Sequence, residues 1–170
     1  KYGTIFIYND AFLTTPDKKV LVHCDKIQDT VNIPYGTETI GRLAFATITN
    51  IAYKVILPDG IIKIEEAAFA SSDGLTKINF PDSLQILGEY SFWSTELCDV
   101  QLPDNIEEIP EGCFKYVYIE KLHLPSKLKH IRCAAFVGLS CDEVRLPQNI
   151  ETVDSWSLDG HYEKIYIPNS

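Results

Sequence analysis

Cysteines, histidines and paired carboxylates are the side chains of this sequence that could do chemistry. A thiolate beside an imidazole is a nucleophile, Cys and His together ligate zinc, and two carboxylates can act as general acid and base. The candidates are Cys24, Cys98, Cys113, Cys133 and Cys141, His23, His123, His130 and His161, and the pairs Glu65 with Glu66 and Glu107 with Glu108. They form no CxxC, HxxH or HExxH spacing, and the chain has no GxSxG or glycine-rich phosphate loop. Whether any of them meet therefore depends on the elements that position them.

A repeat marked by proline supplies those elements. Subtraction of residue numbers gives spacings of 24, 23, 22, 22, 22 and 21 for the series Pro34, Pro58, Pro81, Pro103, Pro125, Pro147 and Pro168. Counted from each proline, apolar residues recur at −3, −1, +3 and +6, and a small residue precedes a large one, usually Phe, at +10 and +11. A period of about 20 to 29 residues with LxxLxL spacing is typical of leucine-rich solenoids, and it is too short for two helices per unit.

The repeat predicts a mainly β fold: a right-handed leucine-rich-repeat solenoid with one parallel β-strand per 21–24-residue coil. Each strand should end at the proline, which cannot donate to a ladder. About six coils occupy residues 31–170 as a single structural domain. Residues 1–30 fit the repeat poorly and predict an irregular N-terminal cap or partial repeat, with a short hairpin of strands 12–14 and 20–23.

The register separates the chemical candidates. Cys98 at −5 and His123 at −2 of the next coil are roughly 10 Å apart, too far for a nucleophile and its base. Cys113 and Cys133 come within roughly 8 Å, beyond the usual disulfide limit near ~7 Å. Neighbouring glutamates on a strand point to opposite faces, so neither pair is a dyad. We expect free thiols, no metal, no cofactor and no enzymatic activity.

Two rows of side chains should point outward from the sheet, because positions −4 and −2 alternate with the inward −3 and −1. Stacked coils would align Lys77, Asp99, Lys121, Glu143 and Lys164 as a ladder of alternating charge, with Arg145 and Tyr166 as possible anchors. The ladder fits two compatible interpretations, stabilisation of stacking or recognition of a ligand. The candidate binding residues are Lys77, Asn79, Asp99, Gln101, Lys121, His123, Glu143, Arg145, Lys164 and Tyr166.

A second group of aromatic residues falls in the turns around the Phe column. These residues either pack the outer edge of the coils or form a lateral patch, and the segment around Trp93 and the run KYVYIE lie where solenoids vary. The group comprises Tyr90, Trp93, Tyr116, Tyr118, Trp156 and Tyr162.

The units LPxxIxxIxxxAF followed by LxxIxL resemble the repeats of the BspA-like leucine-rich repeat family, surface proteins of host-associated anaerobic bacteria and parasitic protists. The resemblance covers Val31 to Pro168. Leu158 replaces the last Phe, Pro110 stands where the family usually has Gly, and the usual Cys after the Phe is absent. The family implies a non-enzymatic interaction module of a cell-surface or secreted protein, which presents its sheet face to a host protein or glycan such as the extracellular matrix. The alternative is a structural spacer or stalk.

Composition narrows the partners. A formal net charge of −9 and a pI near 4.8 oppose nucleic acid and anionic membranes, because both bind through basic patches. No apolar run is long enough to insert into a bilayer, and the first residues lack the features of a signal peptide. We therefore expect a monomer without direct membrane insertion, whose surface location is implied by the resemblance.

Overall fold

The described chain opens with an antiparallel hairpin. The computed structural model describes residues 7–9, 11–25, 27–49 and 53–168, with residues 7–9 described by their backbone. Strands β1 (Ile7–Asn9), β2 (Phe12–Thr14) and β3 (Val20–Cys24) pair in that order. Asp17 fastens the turn, because its Oδ1 accepts hydrogen bonds from the Thr15 hydroxyl at 2.6 Å and the Lys19 amide at 3.1 Å. The predicted hairpin is confirmed.

Each coil then carries two strands rather than the one that was predicted. The longer strands end just before the prolines, and we call them the front strands. They are β4 (Thr30–Asn32), β6 (Tyr53–Ile56), β8 (Leu75–Ile78), β10 (Asp99–Gln101), β12 (Lys121–His123), β14 (Ser140–Arg145) and β16 (His161–Tyr166). The shorter ones cover positions +5 and +6, and we call them the back strands. They are β5 (Thr39–Ile40), β7 (Lys63–Ile64), β9 (Ile86–Leu87), β11 (Glu108–Ile109), β13 (His130–Ile131) and β15 (Thr152–Val153).

The pairings between described coils are parallel and follow the register set by the prolines from β4 onward, apart from a shift between Tyr53 and Lys54 where β6 meets β8. The front strands form the sheets β4-β6-β8, β10-β12 and β14-β16, and the back strands form β3-β5-β7-β9 and β11-β13-β15. Leu21 of β3 pairs with Ile40 of β5, so β3 belongs both to the hairpin and to the row of back strands. The solenoid pattern therefore extends into the segment predicted as a cap or partial repeat.

The core is a set of columns that run through the coils. Phe45, Phe69, Phe92, Phe114 and Phe136 are fully buried. Their rings stack with centroids 4.9 to 5.6 Å apart and interplanar angles of 4° to 16°. The residues at +10 are buried as well. Their small size fits a closely packed interior, which has little room for a larger side chain. The predicted columns hold through the middle coils.

The last coil departs from the predicted columns. Ile165 and Ile167 were expected to point inward, but they are 39% and 70% exposed, and Val153 is 43% exposed. Among the described residues, β16 and β15 have a strand on one side only. These side chains keep the repeat register, as the pairing of Val144 with Ile165 shows, but lack a covering coil within the described part.

Pro110 interrupts the back row. In other coils the residue at +7 donates its amide hydrogen to the preceding back strand: Glu65 to Ile40 and Arg132 to Ile109, both at 2.9 Å. Proline has no such hydrogen, and β9 and β11 belong to separate sheets. The turns still join the two halves there, since the Phe92 amide donates to Cys113 at 2.9 Å.

Six-residue turns at +8 to +13 follow most of the back strands and form what we call the turn edge: residues 42–47, 66–71, 89–94, 111–116 and 133–138. Within the described ranges, no helix is long and apolar enough to cross a membrane.

Candidate binding surfaces

The front face is the exposed side of the front strands, where the sequence placed the binding residues. All ten predicted side chains are exposed. The structure brings them together in two groups of four rather than one continuous ladder. Asp99 is opposite Lys121 and Gln101 opposite His123, while Glu143 is opposite Lys164 and Arg145 opposite Tyr166.

Strand pairing aligns two steps of the predicted charge ladder, Asp99 with Lys121 and Glu143 with Lys164. Lys54 lies directly opposite Lys77, so two like charges begin the row. The Glu143 carboxylate accepts hydrogen bonds from Arg145 Nε at 2.8 Å and Nη2 at 3.2 Å, on its own strand. Among the described residues, no ion pair within 4 Å joins one front strand to the next.

Arg145 makes two side-chain contacts on the front face, one with Glu143 and one with Tyr166. Its guanidinium carbon lies 3.8 Å from the centroid of the Tyr166 ring, a cation–π contact. The hydrogen bond from Arg145 is the main cause that lowers the pKa of Glu143. Glu143, Arg145 and Tyr166 thus form a preordered cluster at one end of the face.

Asn79 has a structural task. Its Oδ1 accepts a hydrogen bond from the Leu57 amide at 2.7 Å, and its Nδ2 donates to the Leu57 carbonyl at 2.9 Å. The amide group therefore links two coils where the strand ends, and its polar atoms are committed to the backbone.

The ion pairs expected on the front face lie on the back face, which is the exposed side of the back strands. Lys19 pairs with Glu38 at 2.8 Å, and Lys129 pairs with Glu107 at 2.7 Å across neighbouring coils. Arg132 reaches Glu108 in one neighbouring coil and Asp154 in the other, the latter at 3.8 Å. The sequence carried a signal for these pairs, because position +4 reads Glu107, Lys129, Glu151 in successive coils.

The turn edge holds a shallow apolar groove of about 360 Å³, which we call the turn groove. Small residues from two coils line one part of it together with Leu43, and large residues from the next two coils form its wall. The lining residues are Leu43, Ala46, Thr47, Ala67, Ala70, Ser71, Tyr90, Trp93, Lys115 and Tyr116. Trp93 and Tyr116 are 38% and 55% exposed, so three of the six aromatic turn residues, these two and Tyr90, form a lateral patch here.

Left-handed backbone and two glycines fix the wall of the turn groove. Tyr90 and Tyr116 have φ of 55° and 59°, in the region that disfavours side chains. Each ring lies over a glycine of the next coil, Gly112 and Gly138, where a Cβ would collide with the ring. The Tyr90 hydroxyl donates a hydrogen bond to Glu111, which raises the pKa of Tyr90 to about 12.

The thiols and imidazoles do not converge. Cys24, Cys113 and Cys141 are buried, Cys133 is half-buried, and Cys98 is exposed, and no disulfide joins any two of the five. Burial raises the pKa of Cys113 to about 12, and its sulfur lies 3.3 Å from the Ser91 hydroxyl. Within the described ranges, no three His, Cys, Asp or Glu side chains are grouped as metal ligands would be.

Comparison with known proteins gives the same architecture. A model of the BspA-type leucine-rich repeat region matches residues 14–140 in six copies. Three solved structures have similar folds. A leucine-rich repeat protein of T. pallidum is 18% identical with a TM-score of 0.62, over 97% of this chain and 82% of that one. A leucine-rich cell surface protein of Faecalibacterium prausnitzii is 16% identical with a TM-score of 0.63, over 86% of this chain and 49% of that one.

The third structure, the pneumococcal vaccine antigen PcpA, is 18% identical with a TM-score of 0.53, over 81% of this chain and 43% of that one. This chain therefore spans about half or less of the length of two of these three proteins. No curated protein matches the sequence.

Proposed function

This chain belongs to the BspA-type leucine-rich repeat family, and on that premise we propose that it is an adhesive interaction module which presents its front face to a host protein or glycan. The family is compatible with an interaction role or a structural one. The proposed module is non-enzymatic, belongs to a cell-surface or secreted protein, and acts as a monomer without a cofactor. The F. prausnitzii protein of the same fold is described as a cell surface protein, which supports the location.

The observation that carries the proposal is the exposed polar surface of the front face. Asp99 lies in register with Lys121, and Glu143 with Lys164, yet among the described residues neither pair closes an ion pair between its two strands. Charges that do not stabilise the fold remain available for a partner, and rows of complementary charge speed encounter and set specificity.

The cluster of Glu143, Arg145 and Tyr166 supplies the anchor that such a surface needs. Binding energy in protein interfaces concentrates on aromatic and Arg side chains. Because the guanidinium already rests on the Tyr166 ring and holds Glu143, little conformational entropy is lost when a partner contacts it. We therefore place the centre of the interface at β14 and β16.

The test is a binding screen against extracellular-matrix proteins and glycans. Three proteins are compared: the unchanged chain, a front-face variant with Lys121, His123, Arg145 and Tyr166 changed to Ala, and a matched back-face variant. The matched variant changes Ile62, Lys63, Gln85 and Glu151 to Ala. Binding that is lost in the front-face variant and kept in the back-face variant supports the proposal. Equal binding by all three proteins, or by none, overturns it.

A structural spacer is the second candidate, and the interior favours it. The continuous Phe stack and the ion pairs of the back face join successive coils into a stiff array. A spacer needs no ligand, and it predicts that the front-face variant and the unchanged chain behave alike in every binding experiment.

A further inference from the structure

The turn groove arises from a change of side-chain size between neighbouring coils. Position +12 holds Ala46 and Ala70 in the first two coils, then Trp93 and Lys115 in the next two. Position +9 adds a second step between the second and third coils, from Ala67 to Tyr90, although the first coil already holds Leu43 there and the fourth holds Gly112. The step between the small and the large residues is one side chain deep, which is the shape of a pocket for a single anchor residue.

The chain keeps side chains in the turn groove where glycine would cost less. Six of its ten lining residues have positive φ: Leu43, Thr47, Ala67, Ser71, Tyr90 and Tyr116. Tyr90 and Tyr116 regain contacts by covering Gly112 and Gly138. Leu43 remains 44% exposed at the far end of the groove, so its apolar side chain is held out in an unfavourable backbone conformation.

The chemistry of the lining selects the kind of ligand. Alanines, a leucine and aromatic rings dominate, with the Thr47 and Ser71 hydroxyls among the few polar groups. A sugar would leave hydroxyls without partners in such a site, which is costly. A volume of about 360 Å³ is near the lower end of ligand pockets, roughly 300 to 1,000 Å³. An aliphatic or aromatic side chain of a protein fits both requirements.

The positive charge of Lys115, in the wall of the groove, limits further which kind of partner would bind there. The Lys115 ammonium lies 5.2 Å from the Tyr116 ring centroid, and within the described part of the chain no carboxylate forms a salt bridge with it. Elsewhere on the turn edge, Glu66 is paired with Arg42 at 3.0 Å, and Glu111 accepts a hydrogen bond from the Tyr90 hydroxyl but keeps its charge. The Lys115 cation of the groove therefore has no salt-bridge partner among the described residues, whereas the Glu66 charge is balanced by Arg42.

We propose that the turn groove is an anchor pocket for a protein segment that presents an apolar side chain next to a carboxylate, with the apolar group over Ala70 and the carboxylate at Lys115. This site lies on a different surface from the front face and does not depend on the function proposed above.

The experiment uses two small probes, acetyl-leucyl-aspartate amide and acetyl-leucyl-lysine amide, titrated to roughly 10 mM because a single anchor should bind with a Kd near ~1 mM. Amide and indole resonances are followed by NMR. The aspartate probe should shift the Ala46 and Ala70 amides and the Trp93 indole, and bind roughly threefold or more tightly than the lysine probe. The Lys115→Glu variant should reverse this preference.

Two matched variants place the effect in the groove. Ala70→Trp fills it at a position where Trp93 shows that the fold accepts Trp, and it should abolish the shifts. Val137→Trp makes the same change in the same column outside the groove and should leave them intact, as should the front-face variant. The absence of groove shifts, equal binding of both probes, or shifts with an N-acetyllactosamine probe instead would overturn the proposal. Self-association abolished by Ala70→Trp would overturn it too, because the occupant would then be a second copy.

Discussion

The front and back faces of this solenoid are built on the same coils but use their charges in different ways. On the back face, basic and acidic side chains of neighbouring coils meet, as Lys129 and Glu107 do at 2.7 Å. On the front face, Asp99 and Lys121 stand side by side in register without closing an ion pair. The ion pair between Glu143 and Arg145 is on the front face, but it joins two residues of the same strand, β14.

The comparison teaches that alternating charge in a repeat does not by itself show which face it stabilises. Both faces carry alternating rows, Lys77 to Lys164 on the front and Glu107 to Glu151 on the back. The back pairs link coils and belong to the fold, whereas among the described residues no ion pair of the front face links one coil to the next. Stability measurements and binding measurements should therefore respond to different faces.

The shared interior gives the largest expected effect and the baseline for the comparison. Phe92 is fully buried, with rings on both sides at centroid distances of 5.3 Å. Phe92→Ala leaves a cavity that the stack cannot close, and it should lower the free energy of unfolding by about 3 to 5 kcal/mol in urea denaturation. Leu158→Ala, in the same column of the last coil but only half-buried, should cost less. Equal losses of unfolding free energy in Phe92→Ala and Leu158→Ala would mean that the Phe stack is not the main core of the solenoid.

A matched pair of surface variants then tests the faces directly. Arg132→Ala removes contacts to two neighbouring coils and should destabilise the chain, with a loss that shrinks as NaCl is raised. Lys121→Ala on the front face should change stability little, because no ion pair between coils is lost. Urea midpoints at low and high salt measure both. A larger loss for Lys121→Ala would refute the assignment of stability to the back face.

Periodic features could be predicted from the sequence because each depends on one residue type repeated in every coil. The proline register, the Phe92 column and the alternation that exposes Lys121 and His123 are of this kind. The back strands were missed because two residues at +5 and +6 give too short a pattern to indicate a strand. Their hydrogen bonds come from stacking, which becomes visible once the coils are superposed.

Features that depend on differences between coils were not predictable in the same way. The break at Pro110 follows from one missing amide hydrogen in one coil. The turn groove requires the left-handed turns to be known before the change from Ala70 to Trp93 can be recognised as a step. The front-face binding residues remain a prediction, because exposure shows that they are accessible and not that they bind.

Acid should weaken ion pairs that join neighbouring coils on the back face and on the turn edge. Hydrogen bonds from Arg42 and Lys129 are the first causes that lower the pKa of Glu66 and Glu107, respectively, below the ordinary value of 4.5. Because the folded pKa lies below the unfolded one, their stabilisation is fully present above about pH 4.5 and is lost as the pH falls through the folded pKa. NMR titration of the carboxyl carbons measures both values. Arg42→Gln and Lys129→Gln should return the two pKa values toward 4.5. Unchanged pKa values would show that these ion pairs are not the cause of the shifts.

The smallest expected effect belongs to the front face, where Lys54 and Lys77 lie directly opposite each other. Like charges in this position repel, so Lys77→Glu should raise the melting temperature slightly, by about 1 °C or less, and added salt should remove the gain. Lys77→Gln removes the repulsion without adding attraction and should give an intermediate value. If Lys77→Glu instead lowers the melting temperature, the Lys77 ammonium supports the fold, and the front face is not the unpaired surface that the binding proposal requires. A higher melting temperature in both variants would show that the Lys77 charge slightly destabilises the fold. That is the result expected for a side chain that serves a partner.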